Sequence, residues 1–247
     1  MRHKALSVLA LFFSLSAAVA GGGSNSSGAI SSPTGTAKLA AYDIVRTQVT
    51  STGTQLVFQM QTSSKAGVTI PTVTGQLAGS QVYSYVWPTT LDSSTVGFEK
   101  GQGILALAAT AHPDFDDTPL YDENGDGNLK NDGNLWHSHW VVLVPDAVCG
   151  VGALKVKDIP AGAKPKLPAT WPNLPILIDS PGYELKLGGS LVKINVPLKE
   201  LGFMKSFKFD GVTAALRVNA DLHSPLLCVT DVFKVASGDL SLPGTVR

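Results

Sequence analysis

Residues 54–61, Thr-Gln-Leu-Val-Phe-Gln-Met-Gln, decide the fold class of this 247-residue chain. Leu56, Phe58 and Met60 occupy alternate positions, and Gln55, Gln59 and Gln61 are among the residues that alternate with them. Side chains two residues apart on a strand point to the same face of the sheet. The alternation therefore predicts a strand that is buried on one face and exposed to solvent on the other.

The same pattern recurs along the rest of the chain. Gly188-Gly189 lies between two alternating runs and predicts a β-hairpin. No window keeps apolar residues at helical spacing over three turns, so we expect no long amphipathic helix. Many short strands with turn signals between them indicate an antiparallel sandwich or barrel, and we predict an all-β protein, an antiparallel β-sandwich formed by residues 41–247 as a single domain. The further predicted strands are Tyr42–Val49, Val82–Trp87, Gly103–Thr110, His137–Val144, Leu154–Ile159, Leu174–Ile178, Tyr183–Leu187, Leu191–Val196, Phe207–Asn219 and Leu227–Val235.

The N-terminal residues 1–20 have the three parts of a secretory signal peptide in the right order. Arg2 and Lys4 are followed by an apolar run and then by the small residues Ala18-Val19-Ala20. The apolar run is shorter than the ~20 residues that span a bilayer, which favours cleavage over a membrane anchor. We expect a secreted or periplasmic protein, in which residues 21–40 form a flexible leader rich in glycine and serine.

Removal of Arg2 and Lys4 leaves 17 basic residues against 19 acidic ones, a net charge of −2. No cluster of lysine and arginine offers a basic face for phosphates, so we expect no nucleic-acid partner. No later segment is apolar over a sufficient length to predict a membrane span in the mature chain.

The chain has two cysteines, Cys149 and Cys228. In an oxidising compartment they can form a disulfide that closes a long loop. Two buried free thiols are the alternative, because cysteine is often a small buried apolar residue.

The first strands of the domain, Tyr42-Asp43-Ile44-Val45 and Leu56-Val57-Phe58-Gln59-Met60, resemble those of the DOMON and family 9 carbohydrate-binding β-sandwiches. The resemblance covers about the first third of the mature chain and implies a sandwich that binds haem or sugars. A haem site would need Met60 with a histidine or Met204 as axial ligands. The place of Met60 in the strand alternation favours a core residue instead.

Residues 122–133 resemble the calcium loops of EF-hand and dockerin domains. Oxygen ligands stand at positions one, three and five, and Gly127 at position six permits the sharp turn. The loop departs from the pattern at position twelve, where Gly133 replaces the closing acidic residue. A ligand from Asp114, Asp116 or Asp117 would complete the site, and a solvated turn rich in Asp and Asn is the alternative. The predicted calcium ligands are Asp122, Asn124, Asp126, Asn128 and Asp132.

His137 and His139 precede an apolar strand and would project from the same face of it. Convergence with His112 or His223 would form a zinc or copper site. Asp114 or Asp116 would then serve as a carboxylate ligand or orient an imidazole. Histidines with a purely structural role at the sheet surface are the alternative.

No complete catalytic signature accompanies these ligands. We therefore interpret the chain as an exported, non-catalytic metal-binding protein. Calcium would bind the loop at residues 122–133, and zinc or copper would bind the histidines. One alternative is a metal-dependent hydrolase or redox enzyme, with Asp116 or Asp117 as the general base for a metal-activated water. The other is a carbohydrate-binding module. Its candidate stacking residues are Tyr85, Trp87, Trp136 and Trp140.

Overall fold

The computed structural model describes residues 28–219 and 225–247, and the secondary structure of these residues is almost entirely β. The predicted signal peptide and the first part of the predicted leader lie outside them. Among the described residues, no helix is long and apolar enough to cross a membrane. Three short 3₁₀ helices span Ala40–Tyr42, Ser93–Val96 and Leu198–Leu201. The strands are β1 Ile30–Ser31, β2 Ile44–Ser51, β3 Gln55–Thr62, β4 Gln81–Pro88, β5 Ile104–Ala111, β6 His137–Pro145, β7 Leu154–Val156, β8 Ile178–Asp179, β9 Glu184–Gly188, β10 Leu191–Pro197, β11 Lys208–Phe209, β12 Val212–Val218, β13 Leu227–Val235 and β14 Gly244–Thr245.

Six of these strands close into an antiparallel barrel in the order β5-β4-β12-β13-β7-β6. The barrel closes where β5 pairs with β6, from Ile104 opposite Leu143 to Thr110 opposite His137. The shortest strand pairing in the barrel is between β13 and β7, where Cys228 is the partner of Lys155. The all-β prediction is confirmed. This sheet is a closed barrel and not one layer of a plain sandwich, so the finer prediction of a sandwich is not confirmed.

A second, five-stranded sheet has the order β1-β2-β3-β10-β9 and covers one side of the barrel. The predicted hairpin is present, since β9 and β10 pair on either side of Gly188-Gly189. Phe58 of β3 packs against Trp87 of β4 and Trp140 of β6, with ring centroids 5.9 and 6.1 Å apart. We call this layer between the sheet and the barrel the outer core.

The strands of the barrel place large residues outside and small residues inside. On β4, Tyr85 and Trp87 face the outer core, whereas Val82, Ser84 and Val86 line the barrel interior. The period of two along a strand produces this separation. The barrel therefore has its own apolar interior, distinct from the outer core.

Cys149 and Cys228 form a disulfide with their Cα atoms 5.4 Å apart. It ties the loop after β6 to the start of β13. Closing a loop of 79 residues stabilises the fold by about 4 kcal/mol in the chain-entropy model. Of the two expectations for the cysteines, the structure supports pairing.

Ile30 and Ser31, within the predicted leader, pair with β2, and Ile30 is fully buried. Two predicted strands need correction. The predicted strand Phe207–Asn219 is divided at Asp210 and Gly211 into β11 and β12. Most of the predicted strand Leu174–Ile178 is irregular, because regular pairing with β6 begins only at Ile178.

Candidate metal centre

The antiparallel pairing of β5 and β6 brings the predicted histidines to one end of the barrel. His137 and His139 lie on the inward face of β6, opposite Thr110 and Ala108 of β5. His112 follows the last residue of β5. It is two residues from Thr110 and therefore lies on the same inward face. We call this the metal end of the barrel. The expected convergence of three histidines is therefore present.

The fourth member of the group is Asp117, from the loop after β5. Its Oδ1 atom lies 3.2 Å from Nε2 of His112, 3.2 Å from Nε2 of His137 and 3.1 Å from Nε2 of His139. The Nε2 atoms of His112 and His137 are 2.9 Å apart. All four residues are buried. We call them the histidine–aspartate cluster.

Backbone carbonyls fix the orientation of two of these imidazoles. Nδ1 of His112 lies 2.9 Å from the carbonyl oxygen of Phe115, and Nδ1 of His137 lies 2.8 Å from that of Leu135. A carbonyl oxygen only accepts, so each Nδ1 carries the proton and donates. Nε2 then presents a lone pair to the centre of the cluster.

His139 is oriented in the same way through a hydroxyl. Its Nδ1 lies 3.1 Å from Oγ of Ser180, and that hydroxyl donates to the carbonyl of Asp117 at 2.7 Å. Because the Ser180 proton is used, its oxygen accepts from Nδ1 of His139. Such outer hydrogen bonds are typical of metal-binding histidines, since they set both the tautomer and the angle of the ring.

Three lone pairs and a carboxylate directed at one buried point repel each other unless a proton or a metal ion lies between them. Nε2 of His139 and Oδ1 of Asp117 make no hydrogen bond although they are 3.1 Å apart. Burial lowers the pKa of His137 to about 4, so this ring is neutral under ordinary conditions. Ligands around a tetrahedral zinc ion lie about 3.3 Å apart, close to the separations in the cluster. The residues therefore fit a transition metal ion.

The remaining charges of the cluster are coupled. Burial opposes ionisation of Asp117, but His139 and His112 outweigh it and hold the pKa of the carboxyl well below its ordinary value. Burial likewise opposes a charge on His112, yet Asp117 outweighs it and raises the pKa of the imidazole. A metal ion would compete with a proton for these groups, because metal ligands must be deprotonated.

Gly133 explains why the calcium-type loop lacks its closing acidic residue. The carbonyl of Gly133 accepts from the backbone N–H of His112 at 2.6 Å. A side chain at this position would overlap the carbonyl oxygen of Phe115. The ring of Phe115 stacks on that of His112 with centroids 4.0 Å apart. Glycine is thus required here to pack the loop that carries His112 and Asp117.

Two other predicted ligands of this site, Asp114 and Asp116, lie elsewhere in the structure. Asp114 accepts hydrogen bonds from Thr74 and Gly75 and lies outside the cluster. Asp116 contributes to a different group of carboxylates. His223 lies outside the described residues. Asp117 was considered in the sequence only as a general base or a completing calcium ligand, and no periodicity in an irregular loop distinguishes it from its neighbours.

The first part of the calcium-type loop folds around its own backbone. Asp122 accepts from the N–H groups of Gly125 and Gly127 at 2.6 and 2.7 Å. Asp126 accepts from the N–H of Asn128 at 2.8 Å. These are the turn contacts that Asp makes without an ion. The exposed predicted ligands are Asn124, Asp126 and Asn128.

The fifth predicted calcium ligand, Asp132, belongs to an acidic cluster with Asp116 and Glu123. Asp132 is buried, and its Oδ1 atom has no hydrogen-bond partner. Its Oδ2 atom accepts from the backbone of Glu123 at 2.9 Å. Burial and the charges of Asp116 and Asp132 raise the pKa of Glu123. Among the described residues, only this group and the histidine–aspartate cluster have three or more potential ligands close together.

The residues considered for sugar stacking and haem binding lie mainly in the core. Tyr85, Trp87 and Trp140 are completely buried, and so is Met60. Trp136 is half-buried, and its indole N–H donates to the carbonyl of Gly67 at 3.0 Å. Met204 is exposed on the surface. Four of these six side chains, Met60, Tyr85, Trp87 and Trp140, are therefore core residues and cannot stack on a ligand at the surface.

Comparisons of the chain with protein-family models, curated proteins and solved structures find no match. The resemblance to DOMON and family 9 carbohydrate-binding domains is therefore neither confirmed nor refuted. Because one fold can serve many functions, the chemistry of the site has to support the functional inference.

Proposed function

We propose that this chain is an exported protein that binds one zinc or copper ion through His112, His137, His139 and Asp117. One observation carries the proposal. Three imidazoles have Nδ1 engaged as a donor and direct Nε2 at a buried carboxylate oxygen. Imidazole nitrogen suits both zinc and copper, and a carboxylate completes a set of four ligands.

A binding role has better support than catalysis. Four protein ligands form the closed type of site that is typical of structural zinc. Asp116, one of the general bases considered, forms hydrogen bonds with Thr118 and Asp132 instead. Asp117, the other one, belongs to the ligand set. A metal-dependent hydrolase or redox enzyme is the second hypothesis, and metal-dependent turnover by the purified protein would favour it.

Export is part of the proposal. Its support comes from the sequence of residues 1–20 and from the disulfide, since disulfides persist in oxidising compartments. N-terminal sequencing of secreted material is the test. A product that begins near Gly21 supports export, and an intact Met1 on cell-associated protein contradicts it.

Metal binding is tested with a pair of carboxylate variants. Asp117→Asn removes the charge at the centre of the cluster, whereas Asp114→Asn removes a charge three residues away that does not touch it. After equilibrium dialysis against zinc or copper, wild-type and Asp114→Asn protein should each retain one equivalent. Asp117→Asn should lose affinity by at least tenfold. Equal metal contents in all three proteins, or none in the wild type, would contradict the proposal.

We also propose that calcium binds the acidic cluster of Asp116, Glu123 and Asp132. The buried, unpartnered Oδ1 atom of Asp132 supports this location, because a buried carboxylate oxygen needs a partner. Hard carboxylate oxygens suit calcium. The ion would hold together two ends of the loop that carries Asp117.

The calcium site is distinguished from the predicted loop site by two further variants. Calcium should raise the melting temperature of the wild type and of Asp126→Asn, because a ligand of the folded state stabilises it. Asp132→Asn should abolish the calcium-dependent rise. A calcium response that disappears in Asp126→Asn but persists in Asp132→Asn would move the site to the exposed loop.

A further inference from the structure

The interior of the barrel contains a cavity of about 390 Å³, within the usual range of small-molecule sites. All six barrel strands contribute to its lining, and most of the lining is aliphatic. The residues involved are small for a barrel interior, such as Val82, Val86, Ala108 and Ala214. Valine and alanine leave space that leucine or phenylalanine would fill. We call this space the barrel cavity.

The two ends of the barrel cavity differ in chemistry. At the metal end its lining includes His112, His139 and Asp117. At the other end, beyond the last residue of β6, it includes Val151 and Val232, which are exposed. The cavity thus runs from the surface to the histidine–aspartate cluster.

One polar group at the metal end has no partner. Oγ1 of Thr110 is buried, lines the cavity and makes no hydrogen bond. Thr110 lies opposite His137 in the β5–β6 pairing, directly beside the cluster. A buried hydroxyl without a partner is costly, and a ligand that accepts its hydrogen bond would remove the cost.

The charge at the metal end favours an anion. When a divalent ion is bound, its imidazole ligands are neutral. The ion and the single carboxylate of Asp117 then leave a net positive charge at the metal end. No lysine or arginine is among the described residues that line the cavity. Asp231, at the far end, would disfavour a second negative group there. A ligand with one anionic end and an apolar body matches this distribution.

We propose that the barrel cavity binds a small aliphatic monocarboxylate, whose carboxylate accepts from Thr110 beside the bound metal and whose chain extends toward Val151. This inference rests on the proposed metal site. The span from His139 to Leu143 along β6 is about 13 Å at the rise of a strand, which accommodates a chain of medium length. Binding is reversible and involves no covalent step.

The experiment is calorimetric titration of metal-loaded protein with octanoate and with acetate, after elemental analysis has established the metal content. Octanoate should bind with one equivalent and at least tenfold more tightly than acetate, because only octanoate covers apolar surface. Metal-free protein should bind octanoate at least tenfold more weakly, because the positive charge of the ion is then missing from the metal end. Loaded protein that does not prefer octanoate, or equal binding without metal, overturns the inference. Absence of metal uptake instead overturns the proposed function.

Three variants locate the ligand. Thr110→Val keeps the shape of the side chain but removes its hydroxyl group. It should weaken the binding of octanoate by tenfold or more, since hydrogen bonds to charged groups are strong. Ala214→Leu fills the cavity and should reduce octanoate binding by at least tenfold while the metal is retained. Ala163→Leu adds the same atoms on the exposed surface and should change nothing. Unchanged octanoate affinity in loaded Thr110→Val and Ala214→Leu protein would place the ligand outside the cavity.

Discussion

The two faces of strand β4 contribute to two different regions, the outer core on one side and the barrel interior on the other. Tyr85 and Trp87, on the outer face, are 0% exposed, whereas Val82 and Val86, on the inner face, remain 3% and 8% exposed. The indole N–H of Trp87 donates to Thr47 at 2.9 Å. Large aromatic side chains fill the outer core and satisfy their polar atoms there. Small side chains leave the barrel interior partly open beside unpartnered polar groups.

This difference separates the regions that maintain the fold from those that offer a site. Close packing without voids is what a stable core requires. A cavity with a few convergent polar groups is what a binding site requires. The predictions below therefore compare matched substitutions in the outer core and in the barrel interior.

The largest contrast is expected for truncation of leucine. Leu107→Ala removes a fully buried side chain of the outer core and should reduce the free energy of unfolding by about 3–5 kcal/mol. Leu216 already borders the barrel cavity, so Leu216→Ala should cost only about 2 kcal/mol. Urea unfolding of both variants measures the difference. Equal losses would mean that the barrel interior is packed as tightly as the outer core.

Enlargement of alanine should show a smaller contrast of the same sign. Ala109→Leu inserts atoms into the outer core and should cost about 1–3 kcal/mol through overpacking. Ala214→Leu extends into the barrel cavity and should be close to neutral. Thermal unfolding of the two variants is a sufficient measurement. A strongly destabilised Ala214→Leu protein would show that the cavity does not exist in solution.

The smallest changes in the free energy of unfolding are expected when the hydroxyl group of a threonine is removed. Oγ1 of Thr213 donates to the carbonyl of Tyr42 at 2.7 Å in the outer core, so Thr213→Val should cost about 1–3 kcal/mol by leaving that oxygen unpaired. Thr110→Val removes a hydroxyl without a partner and should be neutral or slightly stabilising in ligand-free protein. Chemical denaturation compares the pair. Similar destabilisation of both would indicate that Thr110 has a partner after all.

The sequence was sufficient to predict most strands, because a period of two is a local property. The predicted strand Leu227–Val235 coincides with β13, and the Gly188-Gly189 hairpin is present. Closure of the barrel was not predictable, since the pairing of β5 with β6 in a ring depends on strand tilt and on contacts distant in sequence. At the split between β11 and β12, the backbone of Gly211 lies close to Thr47, a contact between segments that are distant in sequence.

The candidate site was predictable where it lies on strands. The spacing of His137 and His139 placed both on one face, and β5 brings His112 to them. Asp117 lies in an irregular loop, where spacing gives no orientation, so the sequence did not distinguish it from Asp114 and Asp116. The requirement for glycine at position 133 also appears only when the backbone of Phe115 is seen beside it.

The most direct test of the central claim is anomalous diffraction from crystals of metal-loaded protein, recorded at the zinc and copper absorption edges. We predict one peak at the metal end of the barrel, about 2.0–2.2 Å from Nε2 of His112, His137 and His139 and from a carboxylate oxygen of Asp117. A peak only in the loop around Asp122 and Asp126, or no peak in loaded crystals, would contradict the account.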